Sequence, residues 1–194
     1  MSIIIGLTGP TGAGKSIAAQ YAAKLGIKVI DCDKLSREVT QTGKPALSAL
    51  KKVFGDDIIM QDGSLDRKTL AKKAFCSKEN TQLLNKTVFP FIIERLREET
   101  GSPKVLLDAP TLFESGADKI CDDTLVILAN DNIRLKRITE RDSLKTDEAV
   151  LRMSAGKDND FYLSRSKNII YNNGDLDEYM SQVKTAFEKL FGGK

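Results

Sequence analysis

Five short, mostly apolar runs punctuate the chain: Ile3-Ile4-Ile5-Gly6-Leu7-Thr8, Ile27-Lys28-Val29-Ile30, Lys104-Val105-Leu106-Leu107-Asp108, Thr124 to Ala129, and Asn168-Ile169-Ile170-Tyr171. The first is nearly continuous, as expected of a strand buried on both faces of a parallel sheet, and the others read as further strands. Between them the apolar positions fall at helical spacing. Ile17, Ala18, Tyr21, Ala22 and Leu25 predict a helix after Ser16, with Gly26 as its stop. From Pro45 to Arg97 two stripes, Ala46/Leu47/Leu50/Val53/Phe54 and Leu70/Ala71/Ala74/Phe75, predict a mostly helical insertion. Gly55 and Asp62-Gly63-Ser64 are its turns, Asp66 is a candidate N-cap, and Pro90 is expected to break or bend the helix near Phe89. Asn132 to Asp142 and Thr146 to about Ala155 read as helices, and Leu176, Met180, Val183, Phe187 and Leu190 as the buried stripe of a closing amphipathic helix. Strands alternating with helices predict a parallel α/β sandwich.

At 194 residues, with 41% hydrophobic and 29% charged positions, the chain suits one main soluble domain with a small inserted unit. No apolar run approaches the roughly 20 residues of a membrane span, and the start Met1-Ser2-Ile3 lacks the pattern of a signal peptide. A cytoplasmic protein with no membrane partner is expected. The net charge of +3, from 30 basic and 27 acidic residues, is too balanced for a dedicated nucleic-acid binder. Cys32, Cys76 and Cys121 are odd in number and widely spaced, so neither a disulfide framework nor a zinc site is expected. Histidine is absent, which removes Ser-His and Cys-His catalysis and leaves carboxylate, lysine or tyrosine as acid or base.

The chemistry begins at Gly9-Pro10-Thr11-Gly12-Ala13-Gly14-Lys15-Ser16, which matches G-x-x-x-x-G-K-[ST] between a predicted strand and a predicted helix. Glycines let the backbone curl around a polyphosphate with its N–H groups inward, Lys15 neutralises phosphate oxygens, and the Ser16 hydroxyl can ligate magnesium. Nucleoside triphosphate binding follows, with kinase, GTPase and motor ATPase open. The stretch Asn130-Asp131-Asn132-Ile133 lacks the Asn-Lys-x-Asp by which a GTPase reads its base.

Asp33 ends the second predicted strand region, where a carboxylate can orient an attacking hydroxyl and take its proton; the competing role is an N-cap for Lys34 to Thr40. Asp31 reads as a strand-end residue. Asp108, at the end of another apolar strand, is placed to hold magnesium through water. Arg37 lies one turn beyond Asp33 and can face the same cleft, there to meet an anion. Arg134, Arg137 and Arg141 share a helix face, as a lid over the triphosphate or as a solvated basic surface.

These residues, taken in order, resemble the dephospho-CoA kinase family. The likeness rests on the phosphate loop, Val29-Ile30-Asp31-Cys32-Asp33 with Arg37-Glu38-Val39, Gly43-Lys44-Pro45-Ala46-Leu47, Asp62-Gly63-Ser64-Leu65-Asp66-Arg67, Asp108-Ala109-Pro110-Thr111-Leu112-Phe113-Glu114, Arg137 with Arg141-Asp142, and Asn172-Asn173-Gly174. The resemblance implies a P-loop kinase core with a helical substrate region at about 45–100 and a lid at about 134–165, all within one domain. It implies ATP and Mg2+ as cofactors, and phosphorylation of the ribose 3′-hydroxyl of dephospho-CoA. Asp33 would activate that hydroxyl, Arg37 would meet substrate anions, and Arg141 would act from the lid. Gly9, Gly12, Ala13, Gly14, Lys15, Ser16, Ile17, Arg137 and Arg141 would hold the nucleotide. The chain has Phe89-Pro90 where the family often has His-Pro, Ile17 in place of a hydroxyl residue, and Gly156 near an expected lid glutamine. Another nucleoside or nucleotide kinase, or a nucleotide-binding regulator without catalysis, are the alternatives.

Overall fold

The computed structural model describes residues 3–99 and 102–192; Met1 and Ser2, the start considered above, lie outside them. Five strands form one sheet: β1 (Ile3–Thr8), β2 (Lys28–Asp31), β3 (Lys104–Asp108), β4 (Asp123–Leu128) and β5 (Asn168–Tyr171). Their order is β2-β3-β1-β4-β5 and every pairing is parallel. The unbroken apolar runs are explained by coverage on both faces. Leu106 packs with Ile5, Leu7, Leu125 and Ile127 under α1 (Lys15–Lys24) and α10 (Leu176–Phe191), whereas Val105 and Leu107 turn to the opposite core with Ile30, Leu96 and Leu112. All five strands therefore end at one edge, where β2 finishes at Asp31 opposite Asp108 of β3.

Between β2 and β3 lie α2 (Cys32–Val39), α3 (Pro45–Phe54), α4 (Arg67–Ala74) and α5 (Lys78–Glu99). Leu47, Leu50, Phe54, Ile58, Leu70 and Val88 give this region its own core. Asp66 caps α4, its carboxylate accepting from the N–H groups of Lys68 and Thr69 at 3.0 Å each. The expected break at Pro90 does not occur: α5 runs through it for 22 residues. A mid-helix proline forfeits one N–H bond and crowds the carbonyl four residues back. Here Val88 and Phe91 on the helical core, and Phe89 and Leu96 on the sheet's core, hold both halves of the helix in place.

β3 is followed by α6 (Leu112–Ser115), and β4 by α7 (Asp131–Asp142), α8 (Thr146–Ser154) and α9 (Asn159–Leu163). In α10 Val183 and Phe187 are buried as expected, with Tyr179 and Phe191 completing the buried face, while Met180 and Leu190 are half-buried. Leu176 is exposed, and Tyr179 faces inward because its hydroxyl reaches a backbone carbonyl of the glycine loop. No helix among the described residues is long and apolar enough to cross a membrane.

Candidate active site

The glycine loop leaves the C-terminal end of β1 and turns back into α1. Gly9, Gly12 and Gly14 have φ of 141°, 79° and 109°, a region that side chains disfavour. At Gly9 space forbids one too, since an added Cβ would lie 2.1 Å from the carbonyl oxygen of Ile127 on β4. The positive end of α1 opens on this loop. The Lys15 ammonium donates to the carbonyls of Gly9 and Pro10 at 2.6 and 3.2 Å. Burial lowers its pKa to about 8, against the pull of Asp108, with Arg134 and Arg141 lowering it further.

Asp108 stands beside Lys15 at the end of β3. Its Oδ1 is buried and has no hydrogen-bond partner. Burial raises its pKa, as do Asp31 and Asp33, while Lys15 opposes them. Lys15 and Asp108 border a cavity of about 950 Å3 that Gly9, Gly12, Gly14, Lys15, Ser16 and Ile17 line from one side. Arg137, Glu140, Arg141 and Arg152 line it from the other, with Asp108 and Glu114 between. Asp142 accepts two bonds from Arg141, both at 2.8 Å, and one from Arg152 at 2.7 Å, so one carboxylate holds both guanidinium groups at the cleft. No group of three or more acidic or cysteine side chains is arranged to hold a metal among the described residues.

A second cavity, of about 260 Å3, opens among α2, α4, α5 and the end of β3. Its walls are apolar, with Leu50, Leu70, Val88, Phe89 and Ile92, and its polar members include Asp33, Arg67 and Asn85. Thr111 lines both cavities. Asp33 sits in the first turn of α2 and does not cap it. Asp31 does so, accepting from the Lys34 N–H at 3.0 Å. The strand-end residue thus takes the capping duty that had competed for Asp33, whose charge acts on both Lys15 and Asp108.

Three expected site residues stand elsewhere. Arg134 does not reach the cleft with its helix-mates: it is only 4% exposed, donates to the Thr11 carbonyl at 2.9 Å and pairs with Asp131 at 2.8 Å. It buttresses the loop from behind, because a buried guanidinium must find several acceptors. Ala13 packs in the sheet core and its N–H goes to Pro10 at 3.3 Å. Arg37 is exposed and lines neither cavity. It stands near Arg67, whose guanidinium is lowered in pKa by burial and then by Arg37, and which bonds the Thr40 hydroxyl at 3.0 Å.

The family model described as dephospho-CoA kinase matches residues 3–178. The chain belongs to the dephospho-CoA kinase family. It is 35% identical to the dephospho-CoA kinase of Corynebacterium glutamicum over 96% of this chain and 98% of that one. With the dephospho-CoA kinase of Fusobacterium nucleatum it shares 34% identity over 98% and 100%. The solved structure of dephospho-CoA kinase from Campylobacter jejuni superposes with a TM-score of 0.66 at 26% identity, covering 99% of both chains.

Three departures from the dephospho-CoA kinase pattern line the cavities, Phe89 on the apolar wall and Ile17 and Gly156 in the larger cleft. Residues without an assigned role in the sequence also emerge. Arg67 joins Asp33, and Glu114 brings a buried, unpartnered Oε2 to the cleft, whereas Arg152, read with the basic lid stretch, joins Arg141 there through Asp142. Arg67 and Glu114 end quoted family stretches, yet no spacing rule marks them, because their neighbours come from other elements.

Proposed function

We infer that the protein transfers the γ-phosphoryl group of ATP to the ribose 3′-hydroxyl of dephospho-CoA, yielding coenzyme A and ADP, the last step of coenzyme A biosynthesis. The observation that carries the reading is Asp33, relieved of helix capping by Asp31, in an apolar pocket that shares a wall with the phosphate cleft. ATP lies with its phosphates on the loop of residues 9–16, against Lys15 and the start of α1. Dephospho-CoA lies in the apolar pocket, its hydroxyl directed to Asp33 and its anionic groups toward Arg37 and Arg67. As the hydroxyl oxygen bonds to the γ-phosphorus, the bond to the bridging β–γ oxygen breaks. The proton passes to the Asp33 carboxylate and ADP departs. Arg137 and Arg141 offset charge on the transferred group from a lid at about 134–165, and the region at about 45–100 forms the acceptor domain.

Magnesium suits the residues present: the unpartnered Oδ1 of Asp108 and the Ser16 hydroxyl offer it hard oxygen donors, one of them through water. When bound, the ion neutralises charge on the β and γ oxygens. We place the enzyme in the cytoplasm, where ATP is at hand and its three free cysteines stay reduced.

The deciding experiment is ADP release by purified protein with magnesium-ATP, comparing dephospho-CoA, nucleosides, nucleoside monophosphates and no acceptor, with product mass read in parallel. Gain of one phosphate on dephospho-CoA alone is expected. Turnover with another acceptor, or binding without chemistry, overturns the substrate assignment.

A further inference from the structure

Three carbonyl oxygens of the phosphate loop accept from side chains far away in the sequence. Thr11 receives Arg134, Ala13 receives the Asn172 amide at 2.8 Å, and Gly14 receives the Tyr179 hydroxyl at 3.0 Å. Gly9 and Pro10 receive the nearby Lys15. Carbonyls fixed in this way set the orientation of the peptide planes whose N–H groups meet an anion.

Asn172 is the member of this set that also touches the cleft wall. It is 4% exposed, and its four polar groups all have partners. Its backbone N–H donates to Leu128 at 2.8 Å and its side-chain amide to Ala13. Its two oxygens, main-chain and side-chain, each accept from the Arg137 guanidinium at 3.1 Å. Arg137 lines the phosphate cleft. Contact with the loop is close enough that a Cβ on Gly14 would lie 2.3 Å from the Asn172 amide nitrogen. Shape alone does not call for this residue, since a leucine has the same branched heavy-atom skeleton. What it supplies is a donor at one end and an acceptor at the other.

We propose that Asn172 is a positioning residue for phosphoryl transfer, which holds the phosphate loop in its anion-binding form and couples that form to Arg137. The guanidinium that meets the nucleotide and the backbone that cradles it are then the two ends of one hydrogen-bonded chain. The proposal rests on the reading that the loop binds a nucleoside triphosphate, and is independent of the acceptor's identity. Binding of ATP without acceptor therefore tests it separately from the substrate assignment.

Asn172→Asp keeps the shape and the oxygen facing Arg137 but removes the donor to Ala13. Calorimetric titration with ATP is expected to show roughly tenfold or greater loss of affinity. KM for ATP should rise in step, with KM for the acceptor unchanged and Tm lowered by only a few degrees. A lowered Tm with unchanged ATP affinity would show a purely structural role and overturn the proposal. The coupling is read from a double-mutant cycle of Asn172→Ala and Arg137→Met, in which the pair loses little more ATP affinity than the worse single variant. Additive losses overturn it. Should Asn172 variants not fold, Arg137→Met alone suffices: amide exchange at residues 12–15 of the ATP-free protein must quicken relative to wild type, and unchanged exchange refutes the coupling.

Discussion

The two cavities that meet at Thr111 are built by opposite means. The larger has one wall made by a contiguous loop whose glycines take positive φ, and the chemistry of that wall lies in backbone N–H groups, a lysine and a helix end. The smaller gathers apolar side chains from helices between residues 32 and 117, with Asp33 and Arg67 as its charged members. Backbone recognition restricts residue types at fixed spacing and so leaves a motif. Apolar recognition accepts leucine, valine, isoleucine or phenylalanine in many arrangements and leaves none.

The sharpest way to separate the two cavities is Asp33→Asn. Turnover should fall by roughly 10²- to 10⁴-fold while ATP affinity, read by titration, stays within about twofold; retained turnover would remove Asp33 from the chemistry. Lys15→Met is the converse: a loss on the order of 10²-fold in kcat/KM for ATP, with acceptor binding preserved. Leu50 is fully buried in the helical core, so Leu50→Ala should cost about 3 kcal/mol in denaturant melts. Acceptor KM should rise several-fold and ATP affinity should not change, because the loop stands on another core. If ATP affinity falls equally, the two regions are not separable.

Proton linkage gives a subtler contrast. Lys15 has a pKa of about 8 in the free protein against an ordinary 10.5, and bound triphosphate favours its charged form. Raising pH through about 8 removes the proton from the free enzyme but not from the complex. Affinity for ATP should therefore weaken, by about fivefold for the first full pH unit above 8. Folding responds with the opposite sign. In the same window the unfolded chain keeps a proton that the native one has shed, so the Lys15 contribution to stability grows as pH rises toward 10.5. Titrations and melts at matched pH should show the two trends diverge. The smallest effect is a labelling order: Cys76 is exposed, whereas burial pushes the Cys32 and Cys121 thiols up to about 12. Intact mass should show one rapid alkylation at Cys76, with Cys32, on the apolar wall, slow until the protein unfolds.

The strands were legible because burial on both faces leaves continuous apolar runs, and β1, β3 and β5 start and stop where those runs do. The phosphate loop was legible because only glycine meets its backbone angles. Helix faces were harder. Along α10 the apolar residues permit two registers, and a hydrogen bond from Tyr179 to Gly14, which periodicity cannot see, selects between them. Pro90 does not end α5 for a related reason, since a local penalty yields to packing on two cores at once. The arginine stripe was read as one unit, yet Arg134 is drawn to the back of the loop by the Thr11 carbonyl, while Arg137 and Arg141, three and seven positions later, reach the cleft. The capping role that competed for Asp33 falls to Asp31, a distinction of two residues that only the start of α2 decides.

The phosphate loop occupies residues 9–16, and two of the side chains that set it, Asn172 and Tyr179, stand more than 150 positions later. A ribosome makes the loop well before those partners. The segment that most plainly advertises nucleotide binding therefore emerges without the side chains that brace it, and a nascent chain can carry the whole motif before the helix of Tyr179 has docked on it.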